Sequence, residues 1–165
     1  MIKILLVARD QAVRDRLRLA LERLEAAGQE IEFLEAADGE AALTVAEASL
    51  PDRENWSEED LALVVVQLGA HPYGGFGLTR DLKANPRTAW PVILILERLQ
   101  DEWLGRWCGA DALVNRPVDP FALADVARTL LAREAEGIAP EDAQGVLEAE
   151  EGGEGGHAPL QGAPT

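Results

Sequence analysis

Few side chains in this sequence stand in a pattern that enzymes use. The single cysteine, Cys108, has no basic neighbour on its helical face other than Arg106, so we do not expect an activated nucleophile. The histidines, His71 and His157, have no cysteine or carboxylate at the spacing of metal ligands. The glycines match neither the phosphate loop nor the dinucleotide motif, and no serine stands in G-x-S-x-G. The sequence therefore predicts no enzyme, no metal site and no cofactor.

Two tryptophans form a more distinctive pattern. Trp103 and Trp107 lie four residues apart in a segment with helical spacing, at 99–108, so both lie on one side of the helix. Tryptophan is enriched among the residues that dominate protein interfaces, and an exposed pair would form a contact patch or a homodimer surface. The same pair could instead pack inward as large core residues. The sequence leaves these two orientations open.

The chain is strongly acidic. Its 165 residues, the size of one domain, include 30 Asp and Glu against 15 Lys and Arg, for a net charge of −15. Nucleic acids and anionic membranes attract cationic surfaces, so we expect neither as a partner. One cysteine, no signal peptide and no apolar run of membrane-spanning length favour a cytoplasmic protein.

The acidic charge is concentrated near the end of the chain. Residues 1–133 contain all 15 basic residues and 22 of the 30 acidic ones, so their net charge is −7. The other 8 acidic residues follow without any Lys or Arg. We therefore predict one domain at 1–135 and an acidic, glycine-rich tail at 136–165.

The tail has few apolar side chains with which it could join a core. Only Ile138, Val146 and Leu147 are candidates for docking, and they bury too little surface to offset the entropy of ordering the segment. We expect a disordered tail, with a tail that covers a surface or binds a partner as the alternative. The tail is also too short to form a DNA-binding output domain.

The first 135 residues alternate between short apolar runs and segments with helical spacing. The apolar runs predict five strands, at 2–7, 30–36, 61–66, 91–96 and 112–115. Helical patterns or capping signals follow each run, and a polar loop is expected at 50–60. Because a parallel crossover needs a helix, these units predict an α/β fold with a doubly wound, five-stranded parallel sheet. Ligands of such sheets bind beyond the carboxyl ends of the strands.

Two strings of residues resemble a known family. EAADGEAAL follows the second predicted strand, and GADALVNRPVDPF precedes the last helix. Their order and spacing resemble the receiver domain of bacterial response regulators, over residues 1–133. The resemblance implies a flavodoxin-like sheet with strand order 2-1-3-4-5 and a role in two-component phosphorelay signalling. In receivers an aspartate at the end of strand three accepts a phosphoryl group, an acidic pair after strand one holds Mg²⁺, Thr or Ser ends strand four, and Lys ends strand five.

The corresponding positions of this chain depart from the receiver pattern. By the resemblance, the phosphorylation pocket consists of Ala8, Arg9, Asp10, Gln67, Leu96 and Arg116. Arg9 places a cation where Mg²⁺ needs an oxygen ligand, and Asp10 could serve as a helix N-cap instead. Gln67 offers an amide, which cannot act as a carboxylate nucleophile. The chain therefore resembles a degenerate, stand-alone receiver, or pseudo-receiver.

The first functional hypothesis is a signalling module that binds a protein partner or a second copy without phosphorylation. The resemblance implies contact through the fourth helix, fifth strand and fifth helix. Trp103 and Trp107 lie in that helix, and Leu113 stands where many receivers have an aromatic switch residue.

The second hypothesis is a pocket for a small anion or a phosphorylated ligand. Arg9 and Arg116 would both point into it, and two guanidinium groups in a cleft attract anions. The alternative is that these arginines form structural salt bridges with Asp10 or Glu97.

Overall fold

One parallel sheet lies at the centre of the computed structural model, which describes residues 1–50, 61–69, 73–136 and 147–148. Its strands are β1 (Ile2–Ala8), β2 (Ile31–Ala36), β3 (Leu61–Gln67), β4 (Val92–Leu96), β5 (Ala112–Asn115) and β6 (Leu147–Glu148). Their order is β2-β1-β3-β4-β5-β6. The predicted five-stranded order is confirmed, and the two-residue β6 extends it beyond β5.

The central strands bury both of their faces. Successive side chains of a strand point to opposite sides of the sheet. In β1, Ile4 and Leu6 therefore lie in one core, while Leu5 and Val7 lie in the other, and all four are fully buried. This two-sided burial explains why the strands are continuous apolar runs in the sequence.

Five helices cover the two faces of the sheet. They are α1 (Gln11–Leu21), α2 (Gly39–Ala48), α3 (Gly75–Ala84), α4 (Glu102–Trp107) and α5 (Pro120–Ala135). α1 and α5 share one core with one face of the sheet, and α2 and α3 share the other core. α4 contacts β4 and β5, and its end at Cys108 belongs to the same core as α2 and α3. The predicted doubly wound arrangement is confirmed.

The helix ends follow the expected signals with one exception. Gly28 has a positive φ of 93° where the first helical segment ends, a conformation that glycine adopts without strain. Asp119 caps α5, and its carboxylate accepts hydrogen bonds from the backbone N–H groups of Phe121 and Ala122. Asp10 stands at the N-cap position of α1, but its side chain makes no capping hydrogen bond. The predicted N-cap position is therefore confirmed, and the carboxylate takes no part in the cap.

Two elements differ from the predictions. The fourth helix begins with a 3-10 turn at Leu99–Asp101 and is α-helical only in α4. The backbone of β6 pairs in parallel with Ala112 and Leu113 of β5, although its residues fall in the predicted tail. The rest of the tail beyond Glu136, and the loop at 51–60, lie outside the described residues. Within the described part of the chain, no helix is long and apolar enough to cross a membrane.

Candidate functional site

The carboxyl ends of four strands bring together the main positions of the predicted pocket. In the register of β1 and β3, Ala8 is the direct neighbour of Gln67. Leu96, at the end of β4, is the neighbour of Asn115 in β5. The chain continues from β5 into Arg116, whose backbone N–H donates to the Leu96 carbonyl at 3.1 Å. These positions therefore form one edge of the sheet, as the strand order requires.

Two positions of this edge are apolar and closed to solvent. Ala8 and Leu96 are each 1% exposed, so neither side chain offers a polar group or space beside it. Gln67 is half-buried and supplies the amide at the end of β3. At Ala8 and Leu96 the edge is thus packed where the receiver resemblance implies a polar, ion-binding site.

The end of β1 is held by an arginine that the sequence analysis did not single out. The Arg14 guanidinium donates hydrogen bonds to the backbone carbonyls of Ala8 and Arg9 and to Gln11 Oε1. It also lies 3.7 Å from a carboxylate oxygen of Glu35. The sequence does contain a signal for this contact. Arg14 lies four residues after Asp10, one turn into α1, and a side chain at such a position can reach back to the end of the preceding strand.

The two arginines of the second hypothesis have different surroundings. Arg116 Nη1 lies 3.6 Å from Glu97 Oε1, and both side chains are half-exposed. One of the two predicted salt-bridge partners, Glu97, is therefore found. Arg9 is exposed and forms no ion pair with any described residue. Arg116 and Gln67 line a surface cleft, but Arg9 and Asp10 do not.

Comparison with known proteins points to one family, although no family model matches the chain. An uncharacterized response regulatory protein of Mycobacterium tuberculosis is 35% identical over 69 residues, which are 42% of this chain and 52% of the relative. The solved signal receiver domain of a signal transduction histidine kinase from Syntrophus aciditrophicus is 26% identical, with a TM-score of 0.59, over 79% of this chain and 89% of that one. A response regulator receiver domain protein from Methanospirillum hungatei has a TM-score of 0.63 at 22% identity, over 83% and 98%.

The described domain has the fold of a response regulator receiver domain. The match spans about half the length of the curated relative.

The residues at this edge do not fit the Mg²⁺ ion that the receiver resemblance implies. Magnesium is a hard cation that binds carboxylate, carbonyl and water oxygens. Ala8 offers no side-chain ligand, Arg9 carries a positive charge, and Gln67 has an amide in place of a carboxylate. Among the described residues, no three Asp, Glu, His or Cys side chains are grouped in a way that could hold a metal ion.

The outer side of α4 in this receiver-like domain carries the predicted tryptophan pair. Trp103 and Trp107 are 68% and 62% exposed, so the orientation that the sequence left open is outward. The guanidinium of Arg80 lies 4.1 Å from the centre of the Trp107 ring. Leu99 is also exposed and lies four residues before Trp103.

The inner side of α4 explains this orientation. Gly105 is buried against Leu113 so closely that a Cβ atom there would lie 2.5 Å from a methyl carbon of Leu113. Leu113 is buried beneath the helix and does not contribute to the exposed surface, contrary to the sequence-based expectation. Cys108 is also buried, and its thiol donates to the Gly105 carbonyl. Burial raises the pKa of the Cys108 thiol, which is consistent with a structural residue.

Proposed function

We propose that this receiver domain signals by binding a protein partner and that the binding does not depend on phosphorylation at the end of β3. The observation that carries the proposal is the outward orientation of Trp103 and Trp107 on α4. Two large aromatic side chains on one side of a six-residue helix form an apolar surface that a partner can cover.

Covering the tryptophan pair would contribute a large favourable free energy to binding. A tryptophan buries about 150–250 Å² when it is covered, and apolar burial contributes about 25 cal/mol per Å². Because about two-thirds of each side chain is exposed, covering one ring removes enough area from water to contribute roughly 3 kcal/mol before the costs of association. Such residues are the kind that dominate binding in alanine scans.

The neighbours of the pair also resemble an interface. Leu99 is also exposed and lies in the 3-10 turn that leads into α4, four residues before Trp103. Arg80 lies over the Trp107 ring, and arginine is the third residue type enriched in binding hot spots. We call the four residues the α4 surface.

The edge of β5 contributes less to this surface than the family resemblance implies. β6 pairs with Ala112 and Leu113, so part of the hydrogen-bonding edge of β5 is already occupied. Leu113 points under α4 and is buried. The proposed contact therefore uses the outer side of α4 rather than an added strand at β5.

The carboxyl edge of the sheet supports independence from phosphorylation. A phosphoacceptor needs a carboxylate nucleophile and a cation that neutralises the incoming phosphoryl group. Gln67 supplies no carboxylate, and Ala8 and Arg9 supply no ligand for the cation. We accordingly propose neither a phosphorelay step nor another catalytic activity for this domain, and we place its action in the cytoplasm.

Site-specific photo-cross-linking tests the α4 surface. Benzoylphenylalanine replaces Trp103 in one variant and Trp107 in another, and the full-length variants are irradiated in the source cells and as purified protein. We expect a protein adduct from both positions. An adduct of twice the mass of the chain would identify a second copy as the partner.

Glu32 on β2 provides the control, because it is exposed and β2 lies at the side of the sheet opposite β5 and α4. The same photoreactive residue at position 32 should give no adduct. The proposal fails if positions 103 and 107 give none, or if position 32 gives the same adducts in the same yield.

Phosphorylation is tested separately by intact-mass measurement. The purified full-length chain is incubated with acetyl phosphate and Mg²⁺, and we expect its mass to remain unchanged. A stoichiometric phosphoryl adduct on an aspartate would overturn the proposed independence from phosphorylation.

A further inference from the structure

A cleft of about 370 Å³ lies between α1 and the segment that joins β5 to α5. It begins at Gln67 and Arg116, at the carboxyl edge of the sheet, and extends along α1. Its volume is within the usual range of small-molecule sites. Neither Trp103 nor Trp107 lines it, so it is separate from the α4 surface.

One part of the cleft is apolar. Seven of its lining residues have aliphatic or proline side chains, namely Val13, Leu17, Leu19, Ala20, Pro117, Val118 and Pro120. Leu17 and Ala20 are buried members of the core and form a fixed floor. The Asp119 cap fixes the start of α5 on the opposite side, since its carboxylate is bonded to the backbone of that helix. The cleft can therefore hold an apolar body without reorganising the fold.

The other part of the cleft is cationic. Arg16 in α1 and Arg23 in the 3-10 segment that follows it, Glu22–Ala27, both line the cleft, and Arg116 faces it from the β5–α5 connection. Among the described residues that line the cleft, none is Asp or Glu. Three cations without a lining carboxylate are unexpected in a chain with two acidic residues for each basic one.

These arginines remain available to a ligand. Arg16 forms no ion pair with a described residue, and Arg23 stacks on the exposed ring of Phe121 at 3.9 Å. The contact of Arg116 with Glu97 is long, at 3.6 Å, and half-exposed, so it is weak. The net negative charge of the chain has little effect here, because salt screens exposed charges beyond about 8 Å.

We propose that this cleft binds a small organic anion that combines an apolar body with a carboxylate or phosphate group. The apolar body would lie on Leu17 and Ala20. The acidic group would meet Arg16 and Arg116, whose guanidinium groups can form paired hydrogen bonds with either kind of oxyanion. Binding here needs no phosphorylation of the domain and no occupied α4 surface.

Titration of the full-length protein with four probes, followed by amide NMR, tests the proposal. The probes are 2-naphthoate, 2-naphthyl phosphate, naphthalene-2-methanol and inorganic phosphate. We expect saturable shifts at cleft amides with one or both naphthyl anions, and the tighter of the two identifies the acidic group. The neutral alcohol and inorganic phosphate should bind at least about tenfold more weakly, since each lacks one of the two contacts.

Three substitutions locate the site. Arg16→Gln should weaken binding about tenfold, because it removes one charge-assisted contact. Arg128→Gln is the matched control, since Arg128 is similarly exposed but lies on α5 outside the cleft and pairs with Asp125. Arg9→Gln should also leave binding unchanged, which separates this cleft from a pocket formed by Arg9 and Arg116.

Four results would overturn the proposal. They are equal binding of the neutral alcohol, shifts centred on Trp103 and Trp107, unchanged binding in Arg16→Gln, and saturation of the cleft by a peptide of residues 146–154 when neither naphthyl anion binds. The peptide result would make the cleft a peptide site. None of these outcomes bears on cross-linking from the α4 surface, so the two proposals can fail independently.

Discussion

The carboxyl edge of the sheet and the outer side of α4 reverse the usual placement of side chains. At the edge, where receivers hold charged and polar groups, Ala8 and Leu96 are buried and apolar. On α4, where solvent favours polar groups, Trp103 and Trp107 are exposed. Burying apolar groups at the edge stabilises the fold, whereas exposed apolar groups on α4 contribute no favourable free energy until a partner covers them. The difference is what we expect if, as proposed, the domain acts by protein contact rather than by phosphoryl transfer.

The largest expected effect comes from restoring the chemistry at the edge. Five substitutions install the receiver residues: Ala8→Asp, Arg9→Asp, Gln67→Asp, Leu96→Thr and Arg116→Lys. The variant should change from no phosphoryl transfer to a Mg²⁺-dependent adduct, because it gains a carboxylate nucleophile and oxygen ligands for the cation. Intact-mass measurement after incubation with acetyl phosphate checks this.

The control for that experiment is Gln67→Asp alone, which should stay unmodified because it restores the nucleophile without the cation site. Circular dichroism must show that the fivefold variant is folded. If it folds and remains unmodified, the assignment of these positions as the former phosphorylation pocket is wrong.

The next largest expected effect is on the free energy of unfolding, and it should differ between a buried and an exposed tryptophan. Trp90 packs in the core shared by α2 and α3, so Trp90→Ala should lower the free energy of unfolding by about 3–5 kcal/mol. Trp103→Ala should change it by less than about 0.5 kcal/mol, because the ring is already in water. Denaturant unfolding followed by circular dichroism measures both. A large loss in Trp103→Ala would mean that this ring stabilises the fold and would weaken its role as a contact residue.

A smaller loss of stability is expected when the ion pairs at the two ends of the sheet are broken, and the loss should differ between the two pairs. Lys83 Nζ lies 2.5 Å from Asp111 Oδ2 in a mostly buried pair, and it also donates to the Trp90 carbonyl at 2.8 Å. Lys83→Met should therefore cost about 3 kcal/mol, since it leaves the Asp111 carboxylate without its cation and with only the Val92 N–H as a partner. Arg116→Gln should cost less than about 0.5 kcal/mol, because its pair with Glu97 is half-exposed.

Thermal unfolding of both variants at low and high salt measures the difference. The effect of Lys83→Met should be nearly independent of salt, since a buried pair is poorly screened. Equal losses in the two variants would show that Arg116 is a structural residue and would argue against its being free to bind an anion.

The smallest effect concerns the edge of β5. Ending the chain at Glu136 removes β6, which pairs with β5 through only two residues, so the loss of stability should be about 1 kcal/mol. Amide hydrogen exchange in β5 should become faster, while exchange in β1 and β3 stays the same. If amide exchange in β5 is unchanged, β6 does not protect β5 in solution. The backbone edge of β5 would then again be a candidate contact surface.

The sequence by itself determined the architecture of this protein. Strands buried on both faces must be continuous apolar runs, and helices that cover a sheet must repeat apolar residues at helical spacing, so the five units and their types were predictable. Single residues also predicted where helical segments end or begin, as at Gly28 and Asp119 respectively. The residue types at the carboxyl edge followed once the strands were placed, because parallel strands end at one edge.

Only the tertiary structure decided which way the side chains face. Helical spacing put Trp103 and Trp107 on one side of α4, but the fit of Gly105 against Leu113 turned that side outward. The cleft likewise depends on Arg16 and Arg116, which are far apart in the chain and meet only because α1 packs beside α5. Sequence periodicity describes an element about its own axis, whereas orientation and long-range proximity depend on the surfaces packed against it.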